Sequence, residues 1–463
     1  MKPVAVLKNF LLCAFAIFSL FLSFFVNYWG IAEQSWFATH QQDSESYIIG
    51  RLVQSQHQGI FSAGGLPGFG SFDATPVRAI DQPFAQQYWA YLNTQPFVTY
   101  TTTHSQIGGQ GLLFSFLNNL IPASPQSKLR WFYALTALLT AMMITAISAW
   151  FYGEFGLMTA LFVFGSALFS QWLGVFARNL WWSLWSFYLP MVAMLYYLCA
   201  RPTLAAWPLL SLSVIAFITV LIKCVITGYE YMTTTLIMMV VPVVYYLIRQ
   251  RVNSIQALKS LTILALSSLL AVLISFMILC LQIATVEGSF QDGVDHIIYS
   301  LQKRTHIEPV AWEVGDLPAD FAPSLEASTL VVVGKYLVGV YFDASNYLSA
   351  SPFVAKYLLK IRYIHLLVLF AGASVALYFF DRQRDGNEEE AHKRLALLYT
   401  MWFSLLAPLS WFVIFKAHSY IHTHMNFIVW QMPFTFFGFA ACSLLVGRFW
   451  PNRPTLNIGS VHR

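Results

Sequence analysis

Residues 260–284 read SLTILALSSLLAVLISFMILCLQIA, a run of 25 residues with no charge, set between Lys259 and Glu287. Coiled as a helix, such a run is about 37 Å long, more than the roughly 30 Å of hydrocarbon in a bilayer. Lipid offers main-chain N–H and C=O groups no partner, so a lone segment crossing it must be helical. Similar runs recur from Phe10 to Val446. The chain is 57% hydrophobic and 17% aromatic, with only 10% Asp, Glu, Lys and Arg. So few charges cannot cover a water-soluble body of 463 residues. The expected fold class is an all-α polytopic membrane protein.

Hydropathy divides the chain into about ten spans, at 10–30, 131–151, 157–177, 184–200, 205–224, 232–248, 260–284, 358–380, 395–415 and 427–447. The short basic segments set their direction. Lys2 and Lys8 precede the first span, and Arg201 follows the fourth. Arg249, Arg251 and Lys259 link the sixth and seventh. Arg382, Arg384, Lys393 and Arg394 link the eighth and ninth, and Arg448 and Arg453 follow the tenth. With ten spans all of these fall on one side, which the positive-inside rule makes cytoplasmic. Both termini are then expected there. One span more or fewer would break the agreement. The first span has a longer apolar core than a signal peptide and no clean small-x-small site after it, so it is expected to remain uncleaved.

The formal charge of +5 is explained by these inner segments and does not point to nucleic acid. The acidic run from Asp385 to Glu390 reads as a solvated turn. Cys13, Cys199, Cys224, Cys280 and Cys442 lie in or beside spans, with no metal-binding spacing, and read as packing residues. The organisation is therefore 1–30, first span; 31–130, first outer loop; 131–286, spans two to seven; 287–357, second outer loop; 358–447, spans eight to ten; 448–463, inner tail.

Both outer loops carry Pro and Gly punctuation, as in Gly64-Gly65-Leu66-Pro67-Gly68 and Leu317-Pro318-Ala319-Asp320. Both also hold apolar stretches, Gly111 to Ile121 and Leu330 to Val340, that suit short helices lying in the membrane interface. The first loop opens with Asp43-Ser44-Glu45-Ser46-Tyr47. Either carboxylate could serve as a general base, or both could simply favour the first turn of a helix. Arg51 would share a helix face with Tyr47.

Three short outer turns are unusually polar. Phe176-Ala177-Arg178-Asn179-Leu180-Trp181-Trp182 offers an arginine that can grip a phosphate or carboxylate, or snorkel at a span end. Its tryptophans read as interface-belt residues. Lys223, in the segment that continues Gly228-Tyr229-Glu230-Tyr231, lies where the positive-inside rule does not want it. Charges at membrane depth are expensive, so Lys223 and Glu230 are either functional or paired with each other. The turn from Lys416 to Asn426 holds His418, His422 and His424. It reads as a divalent-metal site, as an anion site for Lys416, His418 and His422, or as polar packing.

A base candidate and several anion grips on one face suit a reaction whose leaving group is a phosphate on a lipid. No nucleotide-binding loop is present, so the donor is not expected to be a soluble nucleotide sugar. In layout the chain resembles the GT-C glycosyltransferases. The likeness lies in the first span, the long outer loop with Asp43 and Glu45 near its start, the helix-forming stretches that follow and the second large outer loop. The Arg178-to-Trp182 and Gly228-to-Tyr231 turns resemble those of bacterial surface-polysaccharide members.

The resemblance implies an inverting transferase of the bacterial inner membrane that faces the periplasm. It would take a sugar from a polyprenyl-phosphate-linked donor to a glycan or lipid-linked acceptor. Asp43 or Glu45 would be the base. Arg178, Lys223, Lys416, His418 and His422 would hold donor phosphate. Arg51, Asn179, Tyr229, Glu230 and His424 would serve the acceptor or the framework. Two departures stand out: Ser44 separates an acidic pair that is often adjacent in the family, and the histidine cluster is not a general family feature. The alternatives are an O-antigen or capsule polymerase acting on lipid-pyrophosphate glycans, a lipid or glycan transporter, and a membrane acyltransferase. A transporter predicts internal repeats and broken helices at matching places, which the sequence lacks.

Overall fold

The computed structural model describes residues 3–74, 84–201, 208–305, 323–324, 327–348, 359–382 and 388–449. The punctuation at Leu317-Pro318-Ala319-Asp320, residues 385–387 of the acidic run and the tail beyond 449 lie outside the described residues.

The first apolar run is helix α1 (Pro3–Val26). The outer loop after it forms α2 (Gln34–Thr39), α3 (Gln42–Gln58), α4 (Phe84–Asn93) and α5 (Gly109–Leu120). Strands β1 (Gly68–Ser71) and β2 (Thr99–Thr102) pair antiparallel within it, Gly68 opposite Thr102 and Ser71 opposite Thr99. The apolar body follows as α6 (Pro125–Phe155), α7 (Leu157–Leu168), α8 (Gln171–Phe176), α9 (Trp185–Cys199), α10 (Leu209–Thr227), α11 (Met232–Arg249) and α12 (Ser254–Glu287). The second outer segment contributes α13 (Phe290–Thr305), α14 (Thr329–Leu337) and a second hairpin, β3 (Val340–Asp343) with β4 (Lys360–Arg362). The chain closes with α15 (Tyr363–Arg382), α16 (Glu388–Ser404), α17 (Leu406–Ile414), α18 (Lys416–Ile421), α19 (Thr423–Asn426) and α20 (Phe434–Phe449).

Local chemistry sets the helix ends. Ser124 caps α6 by accepting the Ser127 N–H, with Pro125 in the first turn, where its missing N–H costs nothing. Asn253 caps α12 through the Gln256 N–H at 2.9 Å. Helix α10 stops at Gly228, whose φ is +62°; a Cβ there would stand 2.4 Å from the Gln106 side chain, so only glycine fits. Gly293 lets α13 press onto α12, since a Cβ would come within 2.7 Å of the Cys280 backbone.

Among the described residues, seven helices are long and apolar enough to cross a membrane, or eight if the bent pair Thr423–Gln431 and Phe434–Phe449 is one span. Helices α7 and α9 are apolar but shorter. Each of the ten expected spans thus has an apolar helical counterpart, but the length test admits at most eight. On α12, Leu266, Leu269, Leu270, Leu273, Met277 and Leu281 are each more than half exposed. Water would penalise so continuous an apolar face, whereas lipid covers it at no cost. The chain is an integral membrane protein.

Helix α6 packs between α1, α7 and α9; α11 joins α9 to α16 and α17; α10 and α12 form a pair on the far side, with α13 lying on α12. Charged side chains gather at the two ends. At one end, Glu154 on α6 is ion-paired with Arg249, lies 4.0 Å from Lys393, and accepts from Tyr245 at 3.1 Å and Tyr246 at 3.3 Å. The candidate site is at the other end, around Tyr133, about 30 Å away along the same helix.

Candidate functional site

The two carboxylates at the start of α3 point different ways, because residues two apart on a helix do not share a face. Glu45 turns inward and is 4% exposed. Its Oε1 accepts from Tyr88 at 2.8 Å and Tyr133 at 2.5 Å, and its Oε2 accepts the Leu180 N–H at 2.9 Å. Burial pushes its carboxyl above the ordinary range, opposed by the bonds from Tyr133, Leu180 and Tyr88 and by the Arg178 charge. Asp43 is exposed and lies within electrostatic reach of His422 and His424.

The turn after α8 is tied to this helix. Arg178 donates to the Phe37 carbonyl at 3.1 Å and the Phe25 carbonyl at 3.5 Å, and its guanidinium stands 4.2 Å from the Phe37 ring centre. Asn179 accepts from the Trp181 and Trp182 N–H groups at 3.0 and 3.1 Å and donates to the Gln41 carbonyl at 3.3 Å. It is a turn-former. Trp181 and Trp182 are buried, Trp182 stacked on Tyr231, and are not belt residues as expected. His40, Gln42, Glu45, Tyr133 and Arg178 line a small polar cavity between these elements. The His40 Nε2 is buried there without a hydrogen-bond partner. Burial, then the nearby His424, lowers this imidazole to about 3.

Arg51, expected at the acceptor or in the framework, and Lys223, expected at donor phosphate, both have structural partners. Arg51 is fully buried and clamps the end of α3: it donates to the carbonyls of Ser62 at 2.5 Å, Ile60 at 2.8 Å and Gly59 at 3.0 Å. Lys223 is also fully buried, and donates to the carbonyls of Gly228 at 2.7 Å and Glu230 at 2.6 Å. It closes the end of α10 and faces no opening. Of the two readings, functional or paired with Glu230, the geometry gives Lys223 a bond to the Glu230 main-chain oxygen, with the Glu230 carboxylate near enough to act on it through charge.

The Glu230 carboxylate pairs with Arg304 on α13 at 2.8 Å, and its other oxygen lies 3.9 Å from His418 Nε2. Ring centres of His418 and His422 are 4.6 Å apart, and those of His422 and His424 are 5.6 Å apart. Burial, then His424, lowers the His422 imidazole to about 4, with Glu230 and Asp43 pulling the other way. Lys416 begins α18, next to this histidine turn. Among the described residues, no group of three or more His, Cys, Asp or Glu side chains is arranged to hold a metal ion.

Arg304 also reaches a cleft of about 700 Å³, open mouth included, between α11, α12 and α13. Its walls are Met232, Val272, Phe276 and Leu279, with Tyr229 beside them. Tyr229 packs on Phe276, ring centres 4.4 Å apart, and so belongs to the apolar wall. His104, His296 and Ser300 give one edge a polar character.

The sequence reading did not single out Arg304, His40, Tyr88 or Tyr133. One signal was present for Arg304: Ile297, Ser300, Leu301 and Arg304 follow helical spacing, which places them on one face. Compared with known proteins, the chain matches no family model, no curated protein and no solved structure.

Proposed function

We propose that the protein is a membrane glycosyltransferase that moves a sugar from a polyprenyl-phosphate-linked donor to a hydroxyl of a glycan or lipid-linked acceptor. One observation carries this reading. A histidine turn and an arginine–glutamate pair, drawn from separate segments of the chain, stand beside an apolar cleft between candidate membrane helices, with the exposed Asp43 carboxylate within electrostatic reach of the histidines. A donor with an apolar tail and an anionic head needs both halves of that arrangement.

Asp43 is the base in this scheme. It takes the acceptor hydroxyl proton as the oxygen attacks the sugar C1. The bond from C1 to the phosphate oxygen breaks, inverting the anomeric centre, and polyprenyl phosphate leaves. His418, His422 and Lys416 offset the charge that grows on the departing phosphate. Glu45 does not touch substrate; it fixes the Leu180 turn. Arg178 positions α2 against the bundle.

Ten helices cross the membrane in this reading, α7 and α9 as short spans, with both termini inside and the site on the periplasmic face of a bacterial inner membrane. The meeting of Glu154, Arg249 and Lys393 at the far end supports it, since all three fall in expected inner segments. The test is incubation of the purified protein in lipid nanodiscs with polyprenyl-phosphate monosaccharides, with and without EDTA. Release of polyprenyl phosphate supports the reading, and its absence with every donor refutes it. The EDTA arm decides whether a divalent metal takes part.

A further inference from the structure

The cation that reaches the apolar cleft is on α13. Arg178 and Lys223 are committed to main-chain carbonyls. Arg304 is different. It sits on the cleft-lining face of α13, with Ile297, Ser300 and Leu301 one and two turns before it. Among the described residues it donates to one carboxylate oxygen, Glu230 Oε1, at 2.8 Å. The second oxygen, Oε2, is buried without a hydrogen bond.

A carboxylate left half-satisfied in a partly buried place is costly. Such a pair gains little net stability, because desolvation of both charges offsets their attraction. The same balance makes it easy to exchange. A guanidinium presents five N–H donors in a planar fork that matches a phosphate as well as a carboxylate. His418 Nε2 stands 3.9 Å from Glu230 Oε2, placed to keep a donor near the glutamate when the arginine turns away.

We propose that Arg304 is the residue that binds the phosphate of an amphiphilic ligand, and that Glu230 is its counter-ion only while the cleft is empty. The ligand's apolar chain lies along Met232, Val272, Phe276 and Leu279, and its phosphate displaces the Glu230 carboxylate from the arginine. The ligand class is an alkyl or isoprenoid phosphate. This deepens the donor site proposed above and rests on that reading for its biological meaning, but the binding step does not require sugar transfer.

The test uses the full chain in nanodiscs of neutral lipid, with farnesyl phosphate as probe and binding followed by tryptophan fluorescence. Farnesol serves as the uncharged control and inorganic phosphate as the free anion. The expected result is saturable binding of farnesyl phosphate, weakened tenfold or more in Arg304→Gln, with farnesol bound equally by both proteins. Inorganic phosphate should bind far more weakly than farnesyl phosphate.

Glu230→Gln removes the competing charge and should tighten farnesyl phosphate several-fold, a gain that a merely misfolded variant cannot give. Equal affinity of wild type and Arg304→Gln overturns the proposal. So does a loss in Glu230→Gln as large as that in Arg304→Gln, or free phosphate binding as tightly as the lipid. If sugar transfer is absent but binding depends on Arg304, the transferase reading fails and this one stands. If transfer proceeds unchanged in Arg304→Gln, this one fails alone.

Discussion

The Glu45 carboxylate accepts the main-chain N–H of Leu180 at 2.9 Å, joining residues 135 apart in sequence. Its other oxygen takes hydroxyls from α4 and α6. One buried side chain therefore sets the outer helix α3 against the Arg178 turn. Glutamine offers one accepting oxygen where the carboxylate offers two, so Glu45→Gln gives up the Leu180 N–H or forces both tyrosine hydroxyls to turn round, and should cost about 1–3 kcal/mol. Thermal unfolding in detergent should show the loss. Asp43→Asn, at an exposed position, should stay within about 0.5 kcal/mol. Equal stability of the two variants would contradict the division of roles.

Arg51 makes the sharpest stability prediction in the first outer loop. It donates to three carbonyls and to the Ser62 hydroxyl, all from the chain just beyond α3. Lysine carries a point charge on a flexible stem and cannot reproduce the fork. Arg51→Lys should cost on the order of 3 kcal/mol. It should also open residues 59–66 to protease, and a wild-type cleavage pattern would show that the clamp is dispensable.

Much of the architecture was legible because lipid enforces it. A run such as 260–284 can do little else than form a helix, and α12 covers it. The stretches Gly111–Ile121 and Leu330–Val340 are largely helical, as α5 and α14. Partners were less legible. Hydropathy reports the depth of Lys223 but not that two carbonyls wait beside it. Trp181 and Trp182 have the composition of a belt and the burial of a core. The hairpins β1–β2 and β3–β4 do not show in the sequence, because strands of three or four residues barely alternate. Tyr88 and Tyr133 lie 43 and 88 residues from Glu45, so no local spacing links them to it.

Acid should loosen the site. Burial, then His424, holds His40 at about 3; His422 sits at about 4, with His424, Glu230, Arg304 and Asp43 around it. Unfolded, each titrates near 6.5. Between those values the unfolded chain binds the extra protons, so stability is full above pH 6.5 and is lost as pH falls toward 4. His40→Phe keeps the ring between Trp36 and Phe176 and removes its proton. Its unfolding midpoint should fall less than wild type between pH 7 and pH 5. The comparison isolates His40 from Glu45, whose raised carboxyl acts in the opposite sense. Parallel falls would contradict the assignment.

The sidedness of the membrane topology can be read by labelling. In a cysteine-free background, single cysteines at exposed Asp43 and His424 should both react with an impermeant maleimide from outside the cell. A cysteine at exposed Arg251 should react only after the membrane is opened. Labelling of 43 and 424 from different sides would exclude a shared site.

In the proposed scheme Asp43 acts on a sugar held at a lipid phosphate. The most direct measurement is the rate of polyprenyl phosphate release by wild type and Asp43→Asn, both in nanodiscs and matched for unfolding midpoint. Removing a general base should slow release about 10²–10⁴-fold while the donor still binds. Release by Asp43→Asn at the wild-type rate would contradict the account.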